Sequence, residues 1–136
     1  MKKILLALSL CSTLAYSSAD AQILSVREQA RVINENLAER FEHLLPGMME
    51  QTGIDMWVVI SREYNEDPVL KTMLPAEWLN ARRRTILVFF QDSKTKKVER
   101  LAVARYDFGD NVKAAWDTKK FPDQWDALID LIQKDR

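Results

Sequence analysis

The chain has one histidine, His43, and one cysteine, Cys11. A serine-hydrolase triad needs an imidazole held between a hydroxyl and a carboxylate, and a histidine-type zinc site needs further imidazole or thiolate ligands. His43 has no cysteine partner and no second histidine four residues on. It reads as a histidine on a helix surface. Carboxylates are more plentiful: Glu63 with Glu66 and Asp67, Asp107 with Asp110, Asp123 with Asp126. Paired carboxylates perform acid–base work when their surroundings drive their pKa values apart. These fall in predicted turns or at a helix start, where Asp also favours the helix dipole, so a structural use is expected. Gly47, Gly53 and Gly109 are too scattered for a phosphate-cradling loop. The residues thus assign no catalytic group and no metal ligand to this chain.

Binding chemistry is better supplied. Arg82, Arg83 and Arg84 form the tightest basic cluster, and guanidinium forks pair bidentately with carboxylates. The competing reading is a solvated helix end whose aliphatic stems pack along the surface. The stretch Ser61 to Pro68 (SREYNEDP) follows a predicted central strand, at the strand end where α/β sheets bind ligands. Arg62, Tyr64, Asn65, Arg82, Arg83 and Arg84 are therefore the candidate substrate- or partner-binding residues.

The elements that would position them can be read from periodicity. Residues 25 to about 45 suit an amphipathic helix, with Val26, Ala30, Ile33, Leu37, Phe41, Leu44 and Met48 on one face. Ser25 and Glu28 predict a capping box, Pro46 a kink or restart, and Gly53 a left-handed end. Residues 54–61 are apolar at nearly every position, which predicts a strand covered on both faces with neighbours on both sides. Arg62 to Pro75 reads as loop with a short helix, and Pro75 to Arg83 as another short helix. Residues 85–91 and 98–105 predict an antiparallel pair across the polar loop 92–97. Pro122 suits the first position of a last helix with Trp125, Leu128, Ile129 and Ile132 as its apolar stripe. The expected fold class is α/β, a mixed sheet flanked by helices. A final helix that feeds no further strand suggests a sheet incomplete at its C-terminal side, and an open strand edge prone to self-association.

The first twenty-one residues fall outside that domain. Lys2 and Lys3, the apolar run from Ile4, and the small-residue site ending Ala19-Asp20-Ala21 have the order of a secretory signal peptide. The apolar run falls short of the roughly 20 residues a membrane span requires. A lipoprotein signal at Cys11 is disfavoured by bulky Leu10. Cleavage near Ala21 would leave an exported domain, residues 22–136, with no cysteine and hence no disulfide. Its acidic and basic residues nearly balance, giving no electrostatic case for nucleic acid or a membrane surface.

Three stretches in order carry a resemblance: Gly53 to Pro68 (GIDMWVVISREYNEDP), Ala81 to Phe90 (ARRRTILVFF) and Val98 to Tyr106 (VERLAVARY). Trp116-Asp117, Pro122 to Trp125 (PDQW) and Leu128 extend it. The chain from about Arg31 onward resembles the N-terminal domain of secreted Xaa-Pro aminopeptidase-like proteins of the creatinase/prolidase family. The resemblance implies a mixed α/β domain preceding a pita-bread catalytic domain. That second domain would bind two divalent metal ions through two Asp, one His and two Glu, and a bridging hydroxide would attack the bond before proline. None of those ligands maps onto this chain, so no cofactor is expected in it and the catalytic domain would be supplied in cis or in trans. The implied role is to shape a cleft for a peptide substrate and to form homo-oligomer contacts, through the 62–68 loop and the arginine cluster. The alternative is a free-standing exported module that binds a peptide or protein without catalysis.

Overall fold

The computed structural model describes residues 23–134. The predicted signal peptide and Cys11 lie outside the described residues. The first helix, α1 (Val26–Glu39), begins at the expected capping box: the Ser25 hydroxyl accepts from the Glu28 amide, and the Glu28 carboxylate accepts from the Ser25 amide. One π-helical turn (Arg40–Leu44) leads into α2 (Leu45–Thr52), which ends at Gly53 with φ 66°. Only glycine adopts that left-handed geometry at little cost.

The π turn is the structural answer to Pro46. Proline lacks an N–H and crowds the carbonyl four residues back, and within the turn the Leu45 amide reaches the Arg40 carbonyl, five residues back. The wider turn also changes which residues face inward. Leu37, Phe41, Leu45 and Met49 are buried, whereas Leu44 and Met48, expected on the inner face, are exposed. Three steps of four residues would drift by roughly a third of a turn on a regular helix. The wide turn takes up that drift and keeps the four on one line.

The sheet has the order β1-β2-β3-β4, with β1 (Met56–Arg62), β2 (Arg84–Gln91), β3 (Val98–Ala102) and β4 (Lys113–Ala114). The first three are antiparallel and β4 runs parallel to β3, so the sheet is mixed. The strand expected to be central is not: β1 lies at the edge and Ile60 is 43% exposed, while β2 holds the centre with Ile86, Leu87, Val88 and Phe89 all buried. Both strands are uniformly apolar, so composition alone does not rank them. What places β2 between β1 and β3 is the short loop Asp92 to Lys97, which pairs it with β3.

Alternation along β2 divides the core into two layers. Leu87 and Phe89 pack with Leu37, Phe41, Leu45 and Met49 of the helices before the sheet. Ile86 and Val88 pack with Ala127, Leu128 and Leu131 of the last helix, α4 (Gln124–Gln133). Each fully buried Leu, Ile, Val, Phe or Met among these contributes about 1.5–3 kcal/mol relative to exposure. On α4 the inner stripe is Ala127, Leu128 and Leu131; the expected Trp125, Ile129 and Ile132 are exposed. Pro122 stands one residue before the cap, Asp123, whose carboxylate accepts from the Trp125 amide, rather than at the first helical position. The segment between β1 and β2 contains one short helix, α3 (Pro68–Lys71), and the helix expected over Pro75 to Arg83 is instead irregular chain with one turn at Ala76 and Glu77.

Candidate functional site

The candidate site forms at the end of the sheet where β1 finishes and β2 starts. The β1–β2 ladder runs the full length to the pair Arg62 and Arg84, but the β2–β3 ladder stops at Leu87 and Ala102. Beyond that point one further bond, from the Val103 amide to the Ile86 carbonyl, holds the chains together before they part. Gln124, at the start of α4, spans the gap by donating from Nε2 to the carbonyls of Val103 (2.6 Å) and Arg84 (3.5 Å). The space left by the parted chains is a cleft of about 860 Å³. Its walls include Arg82, Arg83, Arg84 and Arg105, with Tyr106 and Trp116 as aromatic surface and Glu63 as the one carboxylate.

Buried hydroxyls and one carboxylate fasten the two loops at this end to the sheet. Ser61 and Thr85 face each other across β1 and β2, and both are buried. The Ser61 hydroxyl accepts from the Asp67 amide (3.0 Å) and the Thr85 hydroxyl from the Arg82 amide (3.2 Å). Glu66 accepts from the Ala81 amide (2.8 Å) and pairs with Lys71 (3.0 Å). The Lys71 ammonium, and then the Ala81 amide, hold its carboxyl below the usual range. The Glu63 amide donates to the Arg83 carbonyl (2.9 Å), joining the loops directly.

Two non-glycine residues here adopt left-handed backbone: Tyr64 with φ 65° and Arg83 with φ 45°. Such conformations cost on the order of 1–3 kcal/mol and persist only where the surroundings impose them. The fastening just described supplies that constraint. Tyr64 is almost wholly exposed and reaches none of the cleft walls.

Two of the arginines lie over aromatic faces instead of pairing with carboxylates. The Arg82 guanidinium lies 4.8 Å from the Trp78 ring centre and that of Arg84 lies 4.7 Å from Trp125. Trp78 is itself packed on Phe108 (4.2 Å) and Tyr106 (5.5 Å). Gly109 helps seat this cluster: its φ is 58°, and a β-carbon there would sit 3.4 Å from Pro75. Among the described residues no carboxylate lies within ion-pair distance of Arg62, Arg82, Arg83, Arg84 or Arg105.

Of the residues singled out by sequence, the structure brings Arg82, Arg83 and Arg84 into the cleft. Arg62 and Asn65 form a tight bridge at the end of β1 and, with Tyr64, stand outside it. Sequence reading missed Arg105, Tyr106, Trp116 and Gln124. Arg105 falls within the strand expected over 98–105, which ends at Ala102, and Tyr106 just after it, so nothing marked them as a cleft wall. At least one member of each carboxylate group serves the backbone. Asp67 and Asp123 cap helices, and Asp107 accepts from the Ala114 amide and pairs with Lys113. The Ala114 amide, followed by Lys113, draws the Asp107 carboxyl downward. His43 is exposed beside Glu39 at 3.4 Å.

No group of three or more His, Cys, Asp and Glu among the described residues is placed to hold a metal ion, and no helix among them is long and apolar enough to cross a membrane. Comparison with family models, with curated proteins and with solved structures finds no match to this chain.

Proposed function

We propose that the chain is the non-catalytic N-terminal domain of an exported Xaa-Pro aminopeptidase-like metallopeptidase of the creatinase/prolidase kind. It works by contact, shaping one wall of a peptide-substrate cleft and contributing to homo-oligomer contacts. One observation carries the reading: the three stretches that bear the resemblance are the three antiparallel strands of a single sheet, with the 62–68 loop and the arginine run fastened together at one end. The two divalent metal ions implied by the resemblance do not fit the described residues, so the proposal assigns them to a catalytic domain supplied in cis or in trans. Export rests on the first twenty-one residues.

Intact mass spectrometry of the endogenous exported protein tests this reading. A mass several-fold above 15.8 kDa, with Xaa-Pro hydrolysis on adding divalent metal, is the expected result in cis. Co-purification of a separate Xaa-Pro-cleaving chain is the expected result in trans. A mass slightly below 15.8 kDa with no such companion points to the second reading, a free-standing exported binding module. The observation favouring that alternative is the arginine-lined cleft without carboxylate partners.

A further inference from the structure

We propose that the cleft between β2 and the chain following β3 binds an acidic peptide segment presenting two or more carboxylates. The proposal stands on the cleft's charge and geometry and does not depend on the family reading. Four arginines face one glutamate across its walls, and none of the four has a carboxylate within ion-pair distance among the described residues. A site with that imbalance attracts an anion of more than one charge.

Aromatic bracing makes the arginines suitable receptors. Stacking occupies the face of a guanidinium and leaves its in-plane N–H donors free, the geometry that suits bidentate carboxylate pairing. The Arg82 guanidinium carbon lies over the Trp78 ring and that of Arg84 over the Trp125 ring, positions compatible with this arrangement. The stacks restrain side chains that would otherwise lose rotamer freedom on binding, which lowers the cost of association. Size and lining then favour a peptide over a small inorganic anion. About 860 Å³ falls within the range of clefts that accept organic ligands, and Tyr106 and Trp116 give it aromatic surface for a peptide's non-charged body.

The test measures fluorescence anisotropy of a labelled hexapeptide alternating Glu and Ala, titrated with the full exported chain at low ionic strength. The same peptide with Gln for Glu is the control. The expected result is binding of the Glu peptide alone, weakened about tenfold or more by Arg84→Gln with Arg105→Gln. Lys94→Gln with Lys97→Gln, which removes two charges at the opposite end of the sheet, leaves it unchanged. Arg105→Gln alone, a change that breaks no side-chain hydrogen bond or ion pair among the described residues, also weakens binding and guards against loss of fold in the double variant. The proposal is overturned if the Glu peptide does not bind, if the Gln peptide binds equally, if the arginine variants bind as the parent does, or if the lysine pair matters as much. Displacement by inorganic phosphate at concentrations below those of unlabelled Glu peptide would identify a phosphate site and likewise overturn it.

Discussion

The two ends of the central sheet use the same local devices to different ends. At the hairpin end, Lys96 adopts left-handed backbone with φ 60°, Asp92 accepts from the amides of Lys94 and Thr95, and buried Gln91 donates to the carbonyls of Pro46 and Lys96. At the arginine end, Tyr64 and Arg83 are left-handed, Glu66 accepts from the Ala81 amide, and buried Ser61 and Thr85 receive backbone amides. The difference lies in the charges. Lys96 pairs with Glu50 at 3.5 Å, and Lys94 and Lys97 stand on flexible stems in solvent. At the other end Arg82 and Arg84 lie over indole rings beside a cleft. A tight turn needs a left-handed residue and a caught amide wherever it occurs, so backbone strain alone does not mark a functional site. Strain beside restrained charges without carboxylate partners is more informative.

Substitutions can break or sharpen that contrast. The largest effect is expected at the point both ends share. Phe89→Ala, which removes a fully buried ring in contact with Phe41 and Trp57, should cost about 3–5 kcal/mol in denaturant unfolding and loosen both ends together. Gln91→Leu leaves the Pro46 and Lys96 carbonyls without their side-chain donor and should cost about 1–3 kcal/mol, with acidic-peptide binding retained. Its counterpart Thr85→Val strands the Arg82 amide at a cost of about 1 kcal/mol and should weaken peptide binding as well, because it frees the arginine run.

A smaller pair separates strain from function. Lys96→Gly and Arg83→Gly each relieve a left-handed residue and should raise stability by about 1 kcal/mol or less in thermal melts. Only Arg83→Gly should also weaken peptide binding. The smallest expected effect is on acid stability, and it does not discriminate between the ends. Glu66, Asp92 and Asp107 all have folded pKa values drawn below their ordinary ones, Glu66 chiefly by Lys71, Asp92 by Thr95 and Asp107 by the Ala114 amide. Such groups contribute stability that is present above the unfolded pKa, about 4, and lost as pH falls through the lower folded values. A melting temperature that is level near neutrality and falls below about pH 4 is expected, and Asp92→Asn should blunt that fall.

Much of the chain's local structure follows from its residues. Ser25 with Glu28 specifies a helix start, Gly53 a helix end, and the apolar run along 85–91 a buried strand, because each rests on neighbours a few positions away. The antiparallel pairing of that strand with 98–102 was legible for the same reason, since a short polar loop leaves little choice. Periodicity failed where distant packing selected among apolar candidates. Val26, Ile33, Leu44 and Met48 fit a helical stripe as well as Leu45 and Met49 do, and only the π turn before Pro46 turned the latter pair inward. On α4, Trp125 looked like core and is instead the surface on which Arg84 rests.

The arginine run was visible as chemistry from the start; its use was not. Three consecutive arginines read equally well as a solvated helix end, since a guanidinium's role depends on what lies over its face and edge. Sequence by itself determined the α/β class, the ends of the first helical segment and the supply of arginine near a strand start. Tertiary structure alone decided that β1 is an edge strand, that β2 outruns β3 and so opens a cleft, and that Arg105 joins Arg82 to Arg84 there. Those outcomes depend on where ladders end and on which aromatic rings meet across long sequence separations, relations that no local pattern encodes.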